Sequence, residues 1–366
     1  NNYKLFGGFI MEEIENLIKF YNYMDNMKKN SDIMCVVFVF NSIDTYQNDV
    51  HKSECITSYE QSEIVNAFRS VSDYVISFNS EDKFIADIDN LKQKFKYVLV
   101  YSMAQNTNGI GRRCLVPLIC EHYEVYNIGA DFYSSVLGGN KSLMYEKIED
   151  QLGVYFPITY IFKNEEDFRN IQDFYHNKKD FLLKPNSESA SIGVVKIDVQ
   201  ETTYKEAIEL IHSHYEMYGT LLIQQYIEGK EVEVPVIHHN NAYFAPEVVE
   251  IVFLNDEKYL DYQTIANENY DFDIYKGPHA KIIASVACRC AEILGFSAIS
   301  RIDFRVNETD IYIIDITPNP TISSKSSAHL LFQHVFNGDE EAAYRLLVFE
   351  AIKKHRLLEP PLYASK

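Results

Sequence analysis

The sequence predicts an α/β protein that continues as an α+β protein, and three observations support this fold class. In the first third of the chain, short apolar strands alternate with amphipathic helices, a pattern typical of a parallel sheet covered by helices. Beyond about residue 138, strands follow one another through turns, which favours antiparallel pairing. The chain has 366 residues, of which 46% are hydrophobic and 24% charged, enough for two or three globular domains.

The first unit, residues 1–137, is predicted to contain a small parallel sheet. Short runs rich in β-branched and aromatic residues predict strands at 34–40, 74–78, 97–101 and 126–128. Apolar positions at helical spacing predict helices at 10–30, 59–71, 84–95 and 114–123.

Two further units are predicted, 138–229 and 230–366. In the first of them we expect helices at 141–152, 165–176 and 204–218, and strands at 158–162, 181–184, 192–197 and 221–226. In the second we expect a hairpin of strands 231–238 and 243–253, a helix at 280–294, and strands at 298–306 and 311–316. His238 and His239, beside the hairpin turn, are interpreted as solvated.

Charge and composition exclude several kinds of partner. Thirty-four basic and 53 acidic residues give a net charge of −19, which argues against nucleic acid and anionic lipid. No apolar run approaches the roughly 20 residues that cross a bilayer, and the N-terminus lacks the order of a signal peptide. The six cysteines are expected to be buried thiols. Together these features predict a cytoplasmic protein.

The segment 181–194, FLLKPNSESASIGV, carries the first chemical signal. A lysine at a strand end is held rigidly, and the small hydroxylic turn after it can bring backbone N–H groups close to an anion. Such a segment can cradle phosphates. Taken alone, an ordinary surface hairpin is the favoured interpretation.

Three later segments strengthen the phosphate interpretation. Backbone groups at the end of strand 221–226 can contact an adenine edge, and a nearby carboxylate, Glu231, can accept ribose hydroxyls. Asp303 and Asp315 lie on two strands that we expect to be neighbours, and paired carboxylates suit Mg²⁺ that is shared with phosphates. Arg301 shares a strand face with Asp303 and can stabilise charge on a reacting carboxylate.

In this order, the segments resemble the ATP-grasp superfamily and, within it, the D-alanine–D-alanine ligase-like branch, over roughly residues 108–330. The resemblance implies an ATP-grasp fold with an N-terminal parallel α/β (pre-ATP-grasp) domain at 1–137. It also implies a central ATP-grasp subdomain at 138–229 and a C-terminal subdomain with the metal site at 230–366. The implied cofactors are ATP and Mg²⁺.

The resemblance also implies roles for single positions. Lys141 contacts ATP phosphate, Lys184 holds the α/β-phosphates and assists catalysis, and Arg301 lies near the acyl phosphate. The closing loop is matched by Ser187, Ser189, Ser191 and Gly193. The adenine hinge is matched by Gln224, Gln225, Tyr226 and Ile227, with Glu231 at the ribose. The metal ligands are matched by Asp303, Asp315 and Thr317.

The chain departs from the family pattern at several places. Gln224 stands where the ligases usually have an acid, and Thr317 stands where they usually have Asn. No lysine follows the pair Asp261-Tyr262, and Ser53-Glu54 is only an echo of the family's substrate loop. We therefore expect a substrate other than that of a dedicated cell-wall dipeptide ligase.

The resulting hypothesis is an ATP- and Mg²⁺-dependent ligase that joins a small-molecule carboxylate to an amine through an acyl phosphate. The expected acid is an amino acid or a related small acid. One alternative keeps the fold and ATP but uses a thiol or carrier-protein acceptor. Another is a non-catalytic nucleotide-binding protein. A homodimer is expected only by analogy with family members.

Overall fold

The computed structural model describes residues 3–25, 33–47, 49–105, 109–254, 260, 264 and 269–357. In these residues the chain forms three β-sheets, one parallel and two antiparallel, with helices packed against them. The predicted mixed α/β fold class is confirmed. Among the described helices, none combines the length and apolar character needed to cross a membrane.

The first sheet is parallel, with strand order β2-β1-β3-β4. Its strands are β1 Met34–Val39, β2 Tyr74–Phe78, β3 Tyr97–Ser102 and β4 Tyr126–Asn127. The helices of this part are α1 Tyr3–Asp25, α2 Ser58–Arg69, α3 Glu81–Lys94 and α4 Leu115–His122, with short 3₁₀ helices at Asp49–Glu54 and Gly109–Gly111. Every residue of β1 is buried, because both faces of the sheet are covered.

The second sheet is antiparallel, with strand order β5-β8-β6-β7. Its strands are β5 Thr159–Phe162, β6 Phe181–Pro185, β7 Val195–Ile197 and β8 Leu221–Gln225. The helices in this stretch of chain are α5 Phe132–Gly138, α6 Lys141–Leu152, α7 Ile171–His176 and α8 Tyr204–Tyr218, with 3₁₀ helices at Gly153–Tyr155 and Glu165–Asn170.

The third sheet is antiparallel, with strand order β12-β11-β9-β13-β14 and β10 paired to β9. Its strands are β9 Lys230–His239, β10 Ala242–Phe244, β11 Val249–Phe253, β12 Tyr270–Ile274, β13 Ile299–Val306 and β14 Ile311–Thr317. Helix α9, Ala280–Leu294, covers one face together with α6. Helix α6 belongs to the predicted central unit, 138–229, but its buried apolar side chains lie in the core of the third sheet. The boundaries between the three units stay predictions.

Two C-terminal helices return to the first sheet. They are α10, Ser327–Val335, and α11, Ala342–His355. Tyr344 of α11 lies edge-on to Phe68 of α2 and Tyr101 of β3, with ring centroids 5.4 and 6.0 Å apart. The first hydrophobic core therefore contains side chains from both ends of the described chain.

Several features differ from the sequence expectations. The predicted strand 243–253 is broken into β10 and β11. Strand β12 and helices α5, α10 and α11 were not predicted. His239 is buried rather than solvated, and its Nδ1 lies 2.5 Å from Glu350 Oε1. Residues 26–30 of the predicted first helix lie outside the described part of the chain.

Candidate active site

A cavity of about 590 Å³ lies where the second and third sheets and the first unit meet. It is lined by most of the predicted site residues: Lys141, Lys184, Ser189, Ser191, Gln224, Gln225, Tyr226, Ile227, Glu231, Arg301, Asp303, Asp315 and Thr317. Ser187 lines a smaller cavity of about 60 Å³, whose lining shares Lys141, Ser189, Asp315 and Thr317 with the first.

Gly193 is the one predicted site residue that lines neither of these two cavities. Its φ is +70°, and a Cβ there would come within 2.8 Å of Pro185 and Tyr218 side-chain atoms. Glycine is required at this position by backbone conformation and close packing. Gly193 is thus needed for the shape of the turn, and its contact with phosphate stays a prediction.

Lys184 lies near the end of β6 and reaches across between the two antiparallel sheets. Its ammonium donates to Gln224 Oε1 and to the backbone carbonyl of Ile314, each at 2.9 Å. Burial lowers the pKa of Lys184 to about 8, and the nearby Asp315 carboxylate only partly opposes this effect. A weakly solvated ammonium in a cleft is well suited to bind an anion.

The turn after Lys184 is anchored by a residue that the sequence did not reveal, Asn186. Its backbone carbonyl accepts from the Lys141 N–H at 3.1 Å, and its side-chain oxygen accepts from the Ser142 N–H at 2.8 Å. Its amide also donates to Asn140, the N-cap of α6, at 3.1 Å. These contacts bind the turn to the N-terminus of α6.

The serine turn, defined here as residues 187–191, has an unusual backbone. Ala190 and Ser191 have φ values of 49° and 55°, a left-handed conformation that costs energy for residues other than glycine. The Ser191 hydroxyl donates to the Leu260 carbonyl at 2.8 Å. Strained turns of this kind expose N–H groups in a concave arrangement that suits anions.

The inner strands of the third sheet present charged side chains on the face that borders the cavity. In the strand register, Glu231 is paired with Arg305, Glu233 with Asp303, and Asp303 with Asp315. Residues two apart on a strand share a face, so Arg301, Asp303 and Arg305 lie in one row. The prediction that Asp303 and Asp315 lie side by side is confirmed.

Arg301 forms a two-pronged ion pair with Asp303. Its Nε and Nη2 donate to the two carboxylate oxygens of Asp303 at 2.8 and 2.7 Å, and its Nη2 lies 3.3 Å from Glu233 Oε1. Glu233 was not predicted as a site residue, and it also accepts from the Ser327 hydroxyl. Burial raises the pKa of Asp303 above its usual range, although Arg301 opposes this.

Asp315 forms an ion pair with Lys141, whose Nζ lies 2.6 Å from Asp315 Oδ1. Burial acts to raise the pKa of Asp315, but Lys141 and Lys184 outweigh it, and the pKa lies below its ordinary value. Asp315 is therefore held as a carboxylate. Lys141 and Lys184 flank it, so phosphates bound beside Asp315 would meet two ammonium groups.

The donor set fits a magnesium ion shared with phosphates. Among the described residues, no group of three or more His, Cys, Asp and Glu side chains is arranged to hold a metal alone. Asp303 and Asp315 are register partners that line the same cavity, and Thr317 follows two residues later on β14. Magnesium commonly takes one or two carboxylates and completes its shell with phosphate oxygens and water.

Glu231 and the predicted adenine hinge, residues 224–227, also line the cavity. Glu231 is 7% exposed and pairs with Arg305 at 2.8 Å, a partner that the sequence did not suggest. Burial raises the pKa of Glu231, and Arg305 opposes that rise. The N–H groups of Gln225 and Tyr226 donate to the carbonyls of Ile158 and Asp180. Adenine contacts in this segment therefore require its other backbone groups.

One departure from the family pattern concerns the pair Asp261-Tyr262 and the positions after it. Residues 261–263 and 265–268 lie outside the described part of the chain. The sequence difference noted there, the missing lysine, stays a sequence observation.

Two antiparallel sheets that enclose buried lysines, a serine turn and paired aspartates define an ATP-grasp protein. Comparison with protein families agrees, because residues 158–336 match the family described as "D-ala D-ala ligase C-terminus". The family match, the relatives and the solved structures support an ATP-grasp protein that is similar to the D-alanine–D-alanine ligases.

Similar proteins include D-alanine–D-alanine ligases from several bacteria. The chain is 23% identical to that of Fervidobacterium nodosum over 305 residues, which cover 80% of this chain and 92% of that protein. It is 28% identical to that of Helicobacter pylori strain P12 over 232 residues, 61% of this chain and 62% of that protein. The second alignment thus spans about three fifths of its relative.

Solved structures show the same fold. The D-alanine–D-alanine ligase of Bacillus anthracis superposes with a TM-score of 0.66 at 14% identity, covering 88% of this chain and 99% of that one. A D-Ala:D-Ser ligase from Enterococcus faecalis superposes with a TM-score of 0.60 at 16% identity, again covering 88% and 99%. At these identities the likeness concerns the fold.

Proposed function

We propose that this protein is an ATP-dependent ligase that joins the carboxylate of an amino acid or related small acid to an amine. The observation that carries the proposal is the pairing of Asp303 with Asp315 beside Arg301, in the same cavity as Lys141 and Lys184. Phosphate-binding cations, a carboxylate pair for magnesium and a guanidinium for the reacting acid are thereby brought together.

In this proposal, Lys141 and Lys184 bind the ATP phosphates, and the serine turn supplies N–H and hydroxyl donors. The hinge from Gln224 to Ile227 holds the adenine, and Glu231 lies at the ribose. Bound by Asp303 and Asp315, with Thr317 as a further oxygen, Mg²⁺ would supply neutralisation of phosphate charge. Lys141 pairs with Asp315 and Arg301 pairs with Asp303, which holds the two carboxylates in place.

The reaction has two steps. A carboxylate oxygen of the acid attacks the γ-phosphorus of ATP, the bond from that phosphorus to the bridging oxygen breaks, and ADP leaves. The amine nitrogen then attacks the carbonyl carbon of the acyl phosphate, the carbon–oxygen bond breaks, and phosphate leaves as the nitrogen loses a proton. Positioning and charge stabilisation by Lys184 and Arg301 supply most of the catalysis in such transfers.

For the substrates we propose a chemical class, amino acids, and no single compound. The relatives are named for D-alanine, and an amino-acid substrate for this chain follows from that likeness. The sequence departures at Gln224 and Thr317 motivate testing other acids as well. A carrier-protein acceptor, a cytoplasmic location and a homodimer remain proposals of the same kind.

The first test measures nucleotide-dependent thermal stabilisation. ATP with Mg²⁺ at a hundredfold excess over its dissociation constant is expected to raise the free energy of unfolding by about 2.7 kcal/mol. Lys184→Ala should remove the shift, whereas Lys205→Ala should keep it, since Lys205 is an exposed lysine on α8 in the same part of the chain. A wild-type protein that no nucleotide stabilises would refute the proposal.

The second test measures ADP release with paired acids and amines, beginning with D-alanine alone and D-alanine with D-serine. Release that requires both an acid and an amine supports the ligase. Release only with a thiol acceptor would favour the carrier-type alternative. Nucleotide binding without ADP release across a broad panel of amino acids would favour a non-catalytic protein.

A further inference from the structure

One arginine of the first unit, Arg112, contacts the serine turn directly. It follows the 3₁₀ helix Gly109–Gly111 and is 9% exposed. Its Nη1 lies 2.9 Å from Glu188 Oε2, and its Nη2 donates to the Ser189 hydroxyl at 3.2 Å. One planar guanidinium thus contacts both Glu188 and Ser189 of the serine turn.

The same guanidinium contacts a residue of the first unit that also lines the main cavity, Glu54. Nη2 of Arg112 lies 3.1 Å from Glu54 Oε2, and Glu54 lines the main cavity together with Arg113. Nη2 of Arg113 lies 3.5 Å from Glu54 Oε1, and His51 Nε2 lies 2.9 Å from Glu188 Oε2. The negative charges of two carboxylates therefore balance the positive charges of two guanidiniums, in a network that joins the first unit to the turn.

The network lies next to the predicted phosphate position. Arg112 lines the smaller cavity of about 60 Å³ with Ser187, Ser189, Lys141 and Asp315. The turn that it contacts contains the left-handed residues Ala190 and Ser191, whose conformation needs support from surrounding contacts. A fork of five N–H donors can contact several oxygens at once, which an ammonium group cannot do with the same geometry.

We propose that Arg112 is a positioning residue that holds the serine turn in its nucleotide-binding conformation through Glu188 and Ser189. Through Glu54, it links the position of the turn to the part of the cavity lined by Glu54 and Arg113. Arg112 acts on the nucleotide through the turn, so loosening the turn should weaken nucleotide binding. This inference rests on the proposed function, because the ligand of the turn is the nucleotide.

A purely structural role makes a different prediction. If Arg112 served only to join the first unit to the turn, its loss would lower the stability of the protein and the fraction that is active. The affinity of the folded protein for nucleotide would stay unchanged. Affinity and stability must therefore be measured separately.

The experiment determines the dissociation constant of a non-hydrolysable ATP analogue with Mg²⁺ by calorimetry, together with the unfolding temperature. The variants are Arg112→Gln, Arg112→Lys, Glu188→Gln and the double variant Arg112→Gln/Glu188→Gln. The matched control is Arg69→Gln, an exposed arginine on α2 of the same unit. Glu188→Gln preserves side-chain size, and it tests the contact even if Arg112→Gln folds poorly.

We expect the analogue's dissociation constant to rise about tenfold or more in Arg112→Gln and in Glu188→Gln, since charge-assisted contacts are lost in each. The double variant should be no worse than either single variant, because each alone frees the turn. Arg112→Lys should recover only part of the affinity, and Arg69→Gln should match the wild type.

Dissociation constants within twofold of the wild type in both single variants would overturn the inference while leaving the ligase proposal intact. Additive losses in the double variant would also overturn it, since they would mean that the two residues act independently. A wild-type protein that does not bind the analogue would refute the ligase proposal and, with it, this inference.

Discussion

The first and third sheets differ in how their faces are used. All six residues of β1, MCVVFV, are buried, because helices cover both faces of the parallel sheet. On β13, Ile302, Phe304 and Val306 join the hydrophobic core, whereas the alternate residues Arg301, Asp303 and Arg305 carry charge beside the cavity. A sheet packed on both faces supplies stability, and a sheet with one face on a cavity supplies chemistry.

The largest expected effect comes from a change on the charged face. Asp315→Asn keeps the side-chain size but removes the charge that we assign to magnesium, so the turnover number should fall about 10³-fold. Nucleotide-dependent thermal stabilisation should fall much less. Asp310→Asn, at an exposed residue just before β14, is the matched control and should leave turnover unchanged. Turnover of Asp315→Asn within tenfold of the wild type would contradict the metal assignment.

A buried phenylalanine in each of the two sheets sharpens the comparison. Phe38→Ala in β1 removes a fully buried ring that stacks on Phe40, and it should lower the free energy of unfolding by about 3 kcal/mol or more. Turnover per folded molecule should stay the same. Phe304→Ala in β13 should lower stability comparably and also reduce turnover, because its neighbours are Asp303 and Arg305. Denaturant titration and active-site-normalised assays measure both quantities, and equal loss of turnover in both variants would contradict the division of roles.

The pH dependence of nucleotide affinity tests Lys184. Burial lowers its pKa to about 8, so the free protein loses this ammonium as pH rises through 8. The dissociation constant for nucleotide should be nearly flat from pH 6 to 7 and should rise above pH 8, approaching tenfold per pH unit. Lys184→Arg keeps its charge throughout and should remove this dependence. An unchanged pH profile in Lys184→Arg would assign the titration to another group.

The smallest expected effect concerns Thr317. An amide carbonyl is a better magnesium ligand than a threonine hydroxyl, so Thr317→Asn should lower the Mg²⁺ concentration for half-maximal turnover severalfold. Thr309→Asn is the matched control, since Thr309 lies outside the cavity, and it should leave the magnesium requirement unchanged. No change in the magnesium requirement would indicate that position 317 does not contact the metal.

Much of the fold followed from local patterns. Strand 74–78 and helices 204–218 and 280–294 have the predicted bounds, because each has a clear period and a capping or turn residue at its end. Strand β12, YDFDI, alternates as a strand should, but it was not among the predicted strands. Helices α10 and α11 were missed, although three residues of α10 and nine of α11 are buried in the first core.

Candidate site residues could be placed from the sequence where their position on a predicted strand determines where the side chain lies. Lys184, Asp303 and Asp315 could be placed because strand ends and neighbouring strands carry them. The partners Arg305 and Glu233 could not be placed, because they depend on the register between β9 and β13, which are separated by about 70 residues. The network around Arg112 depends on how whole units pack, and no local pattern records that.

The return of α10 and α11 to the first sheet has a consequence for synthesis on the ribosome. The strands of the first sheet emerge early, yet Tyr344 and Phe332 complete their core only after more than two hundred further residues have been made. Contacts of such long sequence separation form slowly. The second sheet closes within a span of fewer than seventy residues. During translation, a nascent chain would thus hold an exposed apolar sheet while its later, more local sheet is already assembled, and chaperone binding is expected at the first sheet.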